Sequence, residues 1–240
     1  MLTEGAHAVS ASQRDRERVD VPVEVALRGL VLSGHLSVPP RARGVVLFVH
    51  GTGSNHGSPR NRAVARRLSE VGVGALLLDL HATDDGTDDG TDDGTDVELL
   101  AVRVLAATRW LRAQSSVRDL PVGYFGASTG VGVALLAAAE DPTIAAVVGR
   151  GGRPELAAPC LQLVRAPTLL IVGGADPAVL ARNQEASRQL RSEHELVVVP
   201  GASHLFTEPG ALEAVADHSA RWFVRHLVDD PSASRGVDHR

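Results

Sequence analysis

Lysine is absent from this 240-residue chain, so all 24 basic residues are arginine. That excludes a Walker A phosphate loop, Schiff-base or pyridoxal chemistry and a kinase-type phosphate lysine, each of which needs an ammonium group. Cysteine is almost absent as well. A lone Cys160 allows no disulfide within the chain, no cysteine-rich zinc or iron–sulfur site and no redox pair. Aromatic residues make up only 3%, too few for a base-stacking platform, and no basic stripe is visible, so nucleic acid is not an expected partner. No stretch approaches the roughly 20 apolar residues of a membrane span. Residues 1–20 are polar and carry no apolar run ahead of a small-residue cleavage site. The expectation is a cytoplasmic protein with no membrane partner; oligomeric state is not readable from composition.

What is present suits one globular domain. Apolar residues are 44% and charged residues 22% of the chain. A domain of this length buries roughly 70–75% of the surface its unfolded chain would expose, enough for a core without metal or disulfide. The formal charge of −5 is localised. Residues 82–96 read ATDDGTDDGTDDGTD, and removing their seven aspartates moves the charge from −5 to +2. Paired carboxylates on glycine turns suit calcium. The spacing matches neither an EF-hand loop nor a glycine-aspartate nonapeptide repeat, so a solvated acidic loop at 82–96 is expected instead. Residues 1–20 and 229–240 read as flexible tails around a domain at 21–228.

Within that domain, short apolar runs alternate with stretches of helical period, the pattern of a parallel sheet covered by helices. Residues 21–27 and 30–38 read as an antiparallel hairpin. Residues 45–50, 75–80, 122–125, 144–148, 168–172 and 196–199 are nearly continuous apolar strands of the fully buried kind. Helices are expected at 59–71, 96–114, 129–140, 177–191 and 209–228, with Ser58 before Pro59 as a good start signal and Glu208 before Pro209 a poorer one. The sum is an α/β fold of about eight strands, six of them parallel, with helices on both faces.

One motif in this frame carries chemistry. Gly126-Ala127-Ser128-Thr129-Gly130 follows a buried strand directly and opens a helix of small residues. This is G-x-S-x-G in the strand–turn–helix context it requires. The serine occupies a strained turn, and the glycines on either side let the helix pass close to the strand. The helix N-terminus brings backbone N–H groups and its positive dipole end to a developing oxyanion.

Serine needs a base and an orienting carboxylate. The strand at 168–172 runs into Gly173-Gly174-Ala175-Asp176, and the strand at 196–199 into Pro200-Gly201-Ala202-Ser203-His204. Parallel strands deliver their carboxyl ends to one edge, so Ser128, Asp176 and His204 can converge there in the chain order of the nucleophile elbow. Ser128 would attack, His204 would shuttle the proton and Asp176 would hold the imidazole. The oxyanion donors are expected to be the backbone N–H groups of Thr52, in the loop His50-Gly51-Thr52-Gly53-Ser54-Asn55, and of Thr129.

These residues resemble the α/β-hydrolase superfamily, and within it the dienelactone-hydrolase-related group of small members without a lid. The resemblance covers about residues 20–228. It rests on Val49-His50-Gly51, Gly126-Ala127-Ser128-Thr129-Gly130, Gly174-Ala175-Asp176 and Gly201-Ala202-Ser203-His204 in register with the strands. It implies an α/β-hydrolase fold, hydrolysis independent of metal and cofactor, and an acyl-enzyme. Dienelactone hydrolase proper uses a cysteine nucleophile where this chain has serine. Cap domains in this fold enter between the strands equivalent to 144–148 and 168–172; here the 19 residues from Gly149 to Pro167 have room for one short helix and no lid.

Other polar residues have ordinary readings. Asp79 ends a strand at the same edge and reads as a cap or turn residue. His50 is expected to pack beneath the oxyanion loop. His56 and His81 read as loop histidines, and Cys160 as a small packed residue. Arg150 and Arg153, in Gly149-Arg150-Gly151-Gly152-Arg153, and less strongly Arg60, could hold an anionic substrate, because a guanidinium matches a carboxylate or phosphate. The leading expectation is a serine hydrolase of small carboxylic esters, lactones or thioesters. Two rivals remain. A Rossmann-like nucleotide site would use Gly51-Thr52-Gly53 and Asp79, with His56 at the third glycine position. A catalytically silent hydrolase fold would serve as an interaction module.

Overall fold

The computed structural model describes residues 18–27, 29–51, 55–80 and 96–228. Eight strands form a single sheet: β1 (Val19–Leu27), β2 (Leu30–Val38), β3 (Gly44–Val49), β4 (Val73–Leu78), β5 (Val122–Ala127), β6 (Ala146–Arg150), β7 (Thr168–Gly173) and β8 (His194–Val199). They lie in the order β1-β2-β4-β3-β5-β6-β7-β8. The six strands β3 to β8 are parallel, and β2 pairs antiparallel with both β1 and β4. The β1–β2 hairpin is the one expected, starting two residues earlier than its apolar pattern. The inner strands β3, β4, β5 and β7 are buried at every position, which explains their unbroken apolar sequences; the edge strands β1 and β8 are partly exposed.

Side chains alternate between two faces of the sheet, and each face has its own core. Helices α1 (Pro59–Glu70) and α5 (Ala211–Phe223) bring Val64, Leu68, Val215 and Phe223 onto Val46, Phe48, Phe125 and Val148. Helices α2 (Val97–Ala113), α3 (Thr129–Glu140) and α4 (Pro177–Gln189) cover the other face, where Val104, Leu111, Val133 and Ala186 join Val45, Leu47, Tyr124 and Val147. Helix starts follow the expected chemistry. The Ser58 hydroxyl accepts the Asn61 N–H ahead of α1, with Pro59 in its first turn. Asp96 caps α2 by accepting the Leu99 N–H at 2.9 Å. The rest of the predicted acidic loop, 82–95, lies outside the described residues, as do residues 1–17 of the first predicted tail and all of the second, 229–240.

Several boundaries move by one or more residues, and two of the shifts have a clear cause. Helix α5 starts after Gly210 and not at Pro209, because Gly210 turns the chain at φ 80°, a left-handed conformation glycine adopts freely. Strand β6 begins at Ala146 and not at Ile144, whose N–H instead closes a turn onto the Asp141 carbonyl. The shift makes Arg150 the last residue of a strand, where the sequence placed it in a loop. Residues 151–167, between β6 and β7, hold a 3-10 segment (Pro154–Leu163) packed on α3. Among the described residues no cap domain rises over the carboxyl edge of the sheet.

Candidate active site

Ser128 stands between β5 and α3 at φ 54° and ψ −127°, a backbone conformation that L-residues adopt only under constraint. The constraint is visible on both sides. A Cβ on Gly126 would lie 2.7 Å from the Gly130 carbonyl oxygen, and one on Gly130 would lie 2.1 Å from the Val49 oxygen. Strand β3, β5 and the start of α3 approach so closely that only glycine fits. Gly51 is as constrained, since a Cβ there would meet Thr129 Oγ1 at 2.7 Å and Ser128 Cβ at 3.1 Å. The Ser128 hydroxyl makes no capping hydrogen bond to α3. Its backbone is held at its own position instead: the N–H donates to the Arg150 carbonyl at 3.2 Å and the carbonyl accepts the Arg153 N–H at 3.1 Å.

Asp176 and His204 are joined. Asp176 Oδ2 lies 2.9 Å from His204 Nδ1, and Asp176 Oδ1 accepts the Val179 N–H at 3.3 Å as the N-cap of α4. This fixes the ring's inner nitrogen and leaves Nε2 to face elsewhere. The backbone and ring of His204 lie against Gly151, where an added Cβ would be 3.2 Å from the His204 oxygen and 3.8 Å from Cε1. Ser128 and His204 therefore abut consecutive residues, Arg150 and Gly151, at the end of β6. No hydrogen bond joins the Ser128 hydroxyl to the ring, and nucleophile–base pairs are commonly loose in structures without ligand. The His204 side chain is 42% exposed and Asp176 17%, so the edge is open to solvent, as the short 151–167 connection predicts.

Of the two expected oxyanion donors, Thr129 is buried in the first turn of α3, directly after Ser128. Thr52 lies outside the described residues. The flanks of its loop are tied to a residue that the sequence assigned only a turn role. Asp79, just past β4, accepts both the N–H and the ring Nδ1–H of His56, the latter at 2.7 Å. Buried His50 places Nε2 3.5 Å from Asp79 Oδ1, long for a hydrogen bond but close enough for charge to act. Burial raises the Asp79 pKa, but the nearby His50 ring and the hydrogen bonds from His56 outweigh that and hold the carboxyl down at about 2. A nucleotide site would need this carboxylate for a ribose; the two histidines occupy it. His81 lies outside the described residues.

The arginines diverge. Arg153 Nε donates to Glu155 Oε1 at 3.2 Å, and Arg182 stands 3.6 Å from the same oxygen. Arg150 has no such partner: its Nη1 is buried without a hydrogen bond. Burial and the neighbouring Arg60 charge pull its pKa down to about 10. Cys160 is half-buried, its thiol pushed up by burial, and its Sγ lies 3.3 Å from the Ala157 carbonyl; this is a packed residue. Among the described residues no cluster of histidine, cysteine, aspartate or glutamate is arranged to hold a metal ion, and no helix is long and apolar enough to cross a membrane.

Residues 32–226 match the family model described as the dienelactone hydrolase family. Over 209 residues the chain is 50% identical to a protein of Mycobacterium tuberculosis (strain H37Rv) named "Putative phosphoribosyl transferase", a match covering 87% of this chain and 47% of that protein. The chain thus spans about half the length of that relative. A crystal structure of dienelactone hydrolase from Anabaena variabilis superposes with a TM-score of 0.84 at 48% identity, covering 88% of this chain and 100% of that one. Est1E from Butyrivibrio proteoclasticus, 18% identical, shares the fold with a TM-score of 0.74 over 85% of this chain and 98% of its own. With an eight-stranded α/β-hydrolase fold and a match along most of its length, this chain belongs to the dienelactone hydrolase family.

Proposed function

We propose that this protein is a serine hydrolase of small carboxylic esters, lactones or thioesters, working through an acyl-enzyme on Ser128. The observation that carries the reading is the hydrogen bond between Asp176 and His204 at the sheet edge where Ser128 is held at positive φ. His204 Nε2 takes the Ser128 proton as Oγ bonds to the acyl carbon, and Asp176 stabilises the resulting imidazolium. The backbone N–H groups of Thr129 and Thr52 receive the oxyanion. The intermediate collapses as His204 returns the proton to the leaving alcohol or thiol. Water then repeats the sequence on the acyl-enzyme, with His204 again as base, and releases the acid. Nucleophile, base and orienting acid all come from side chains, so the mechanism calls on neither metal nor cofactor.

The lactone in this reading is supported by the name of the Anabaena protein, 48% identical to this chain. The transferase name does not extend to this chain, since it belongs to a protein of which the match spans 47%. Arg150 is assigned to the substrate's acyl portion. Arg153 contributes through the 151–153 backbone beside Ser128 more than through its guanidinium, which Glu155 engages. A cytoplasmic location follows the same reading. The test is turnover of p-nitrophenyl acetate by the parent and by Ser128→Ala. Loss of turnover at an unchanged melting temperature supports the assignment. Equal turnover by both contradicts it, and no turnover by the parent on any ester of an acyl-length series leaves the silent-fold reading in its place.

A further inference from the structure

Two part-buried arginines, Arg60 and Arg150, have no side-chain hydrogen bond or ion pair among the described residues. Arg60, in the first turn of α1, and Arg150, the last residue of β6, are close enough for the first to depress the pKa of the second. Arg60 Nε and Arg150 Nη1 are both buried and neither has a hydrogen-bond partner. A buried guanidinium is stable only when its donors and charge are met, and here two guanidiniums repel as well. The surroundings deepen the positive potential. Helix α1 has twelve residues, none acidic in its first turn, and presents its positive dipole end here.

Strand register sets Arg150 beside the candidate nucleophile. Arg150 pairs with Ala127 across β5 and β6, and its carbonyl accepts the Ser128 N–H. Two residues after Val148, Arg150 projects from the face that α1 and α5 cover. Both arginines are partly open to solvent, so a ligand can reach them.

We propose that Arg60 and Arg150 form a binding site for a phosphate group beside Ser128, and that the esters cleaved there carry a phosphate monoester. The substrate clause rests on the hydrolase reading above; the anion site does not. Charge decides between anions. Two guanidiniums carry +2, which a phosphate monoester, at about −1.5 to −2 near pH 7, neutralises and a single carboxylate does not. Three phosphate oxygens also offer an acceptor to each unmet donor, in the forked geometry that arginine favours.

The test titrates the full chain with inorganic phosphate, acetate and chloride at matched ionic strength, reading the melting temperature and the phosphorus-31 NMR signal. Expected are a saturable rise in Tm and phosphorus line broadening with phosphate alone, with affinity at least tenfold weaker in Arg60→Gln and Arg150→Gln. Ser128→Ala should bind phosphate as the parent does, separating this site from catalysis. Between two esters of equal acyl length, one ending in a phosphate monoester and one neutral, the preference for the first should fall at least tenfold in either arginine variant. Should Arg150→Gln fail to fold, Arg60→Gln, at a partly exposed position, decides the outcome. A phosphate response no larger than that of chloride, unaltered binding in the folded variants, or acetate binding as well as phosphate overturns the site. Phosphate binding by a protein that hydrolyses no ester overturns the substrate clause and the hydrolase reading while leaving the anion site standing.

Discussion

Asp176 holds the His204 ring by a 2.9 Å contact between Oδ2 and Nδ1, and does so from the N-cap of α4, where its other oxygen accepts the Val179 N–H. One side chain thus orients an imidazole and starts a helix, and the two tasks can be separated by substitution. Asparagine caps helices about as well as aspartate, while alanine forfeits about 1 kcal/mol. Asp176→Asn should therefore keep Tm near the parent value yet lower kcat for ester hydrolysis by about 10²–10⁴-fold, because the amide neither stabilises imidazolium nor fixes the tautomer. Asp176→Ala should lose activity and Tm together. An active Asp176→Asn would remove the orienting role.

A second carboxylate sets a pH dependence of stability. Asp79 has its carboxyl held at about 2, against 3.8 in the absence of its surroundings. A depressed carboxyl stabilises the fold above the unfolded-state pKa, and that contribution is lost as pH falls through the folded-state value. Its worth is on the order of 2 kcal/mol at neutral pH. Thermal melts from pH 7 to pH 2 should show Asp79→Asn less stable than the parent above pH 4, the gap narrowing between pH 4 and pH 2. The same variant should hydrolyse esters more slowly at pH 7, because the flanks of the 51–55 loop lose their common anchor. A gap that is constant with pH would contradict the assignment.

Glycines at the elbow and at an open turn should behave differently under the same change. A Cβ at position 130 meets the Val49 oxygen at 2.1 Å, whereas one at Gly201, φ 70°, meets nothing within 4 Å. Gly201→Ala bears only the left-handed penalty, about 1–2 kcal/mol. Gly130→Ala must push β3 from α3 and should cost about 4 kcal/mol or more, or prevent folding. Denaturant unfolding of the two variants compares the values directly; equal losses would mean that α3 can move away from the strand.

Local chemistry made much of this legible. Ser128, Asp176 and His204 each follow a parallel strand, and parallel strands share a carboxyl edge, so strand order in the sequence pointed to one rim. Ser58 and Pro59 announced α1 because capping is decided within four residues. Features made by contacts distant in the chain were not legible. Asp79 meets His56 across 23 residues, and nothing local distinguishes that aspartate from an ordinary turn residue. Arg150 was singled out, but its isolation was not, because that depends on Arg60, distant in the chain, lying near it and on β6 extending to residue 150. Arg153 carried the same local signal and met Glu155 two residues on.

The most direct measurement of the central claim is covalent labelling with a fluorophosphonate, located by mass spectrometry on the intact folded chain. Phosphonylation of the Ser128 hydroxyl with loss of fluoride, absent in Ser128→Ala and slowed at least a hundredfold in His204→Ala, is the predicted result. Attachment at another residue, or no attachment to a folded chain, would contradict it.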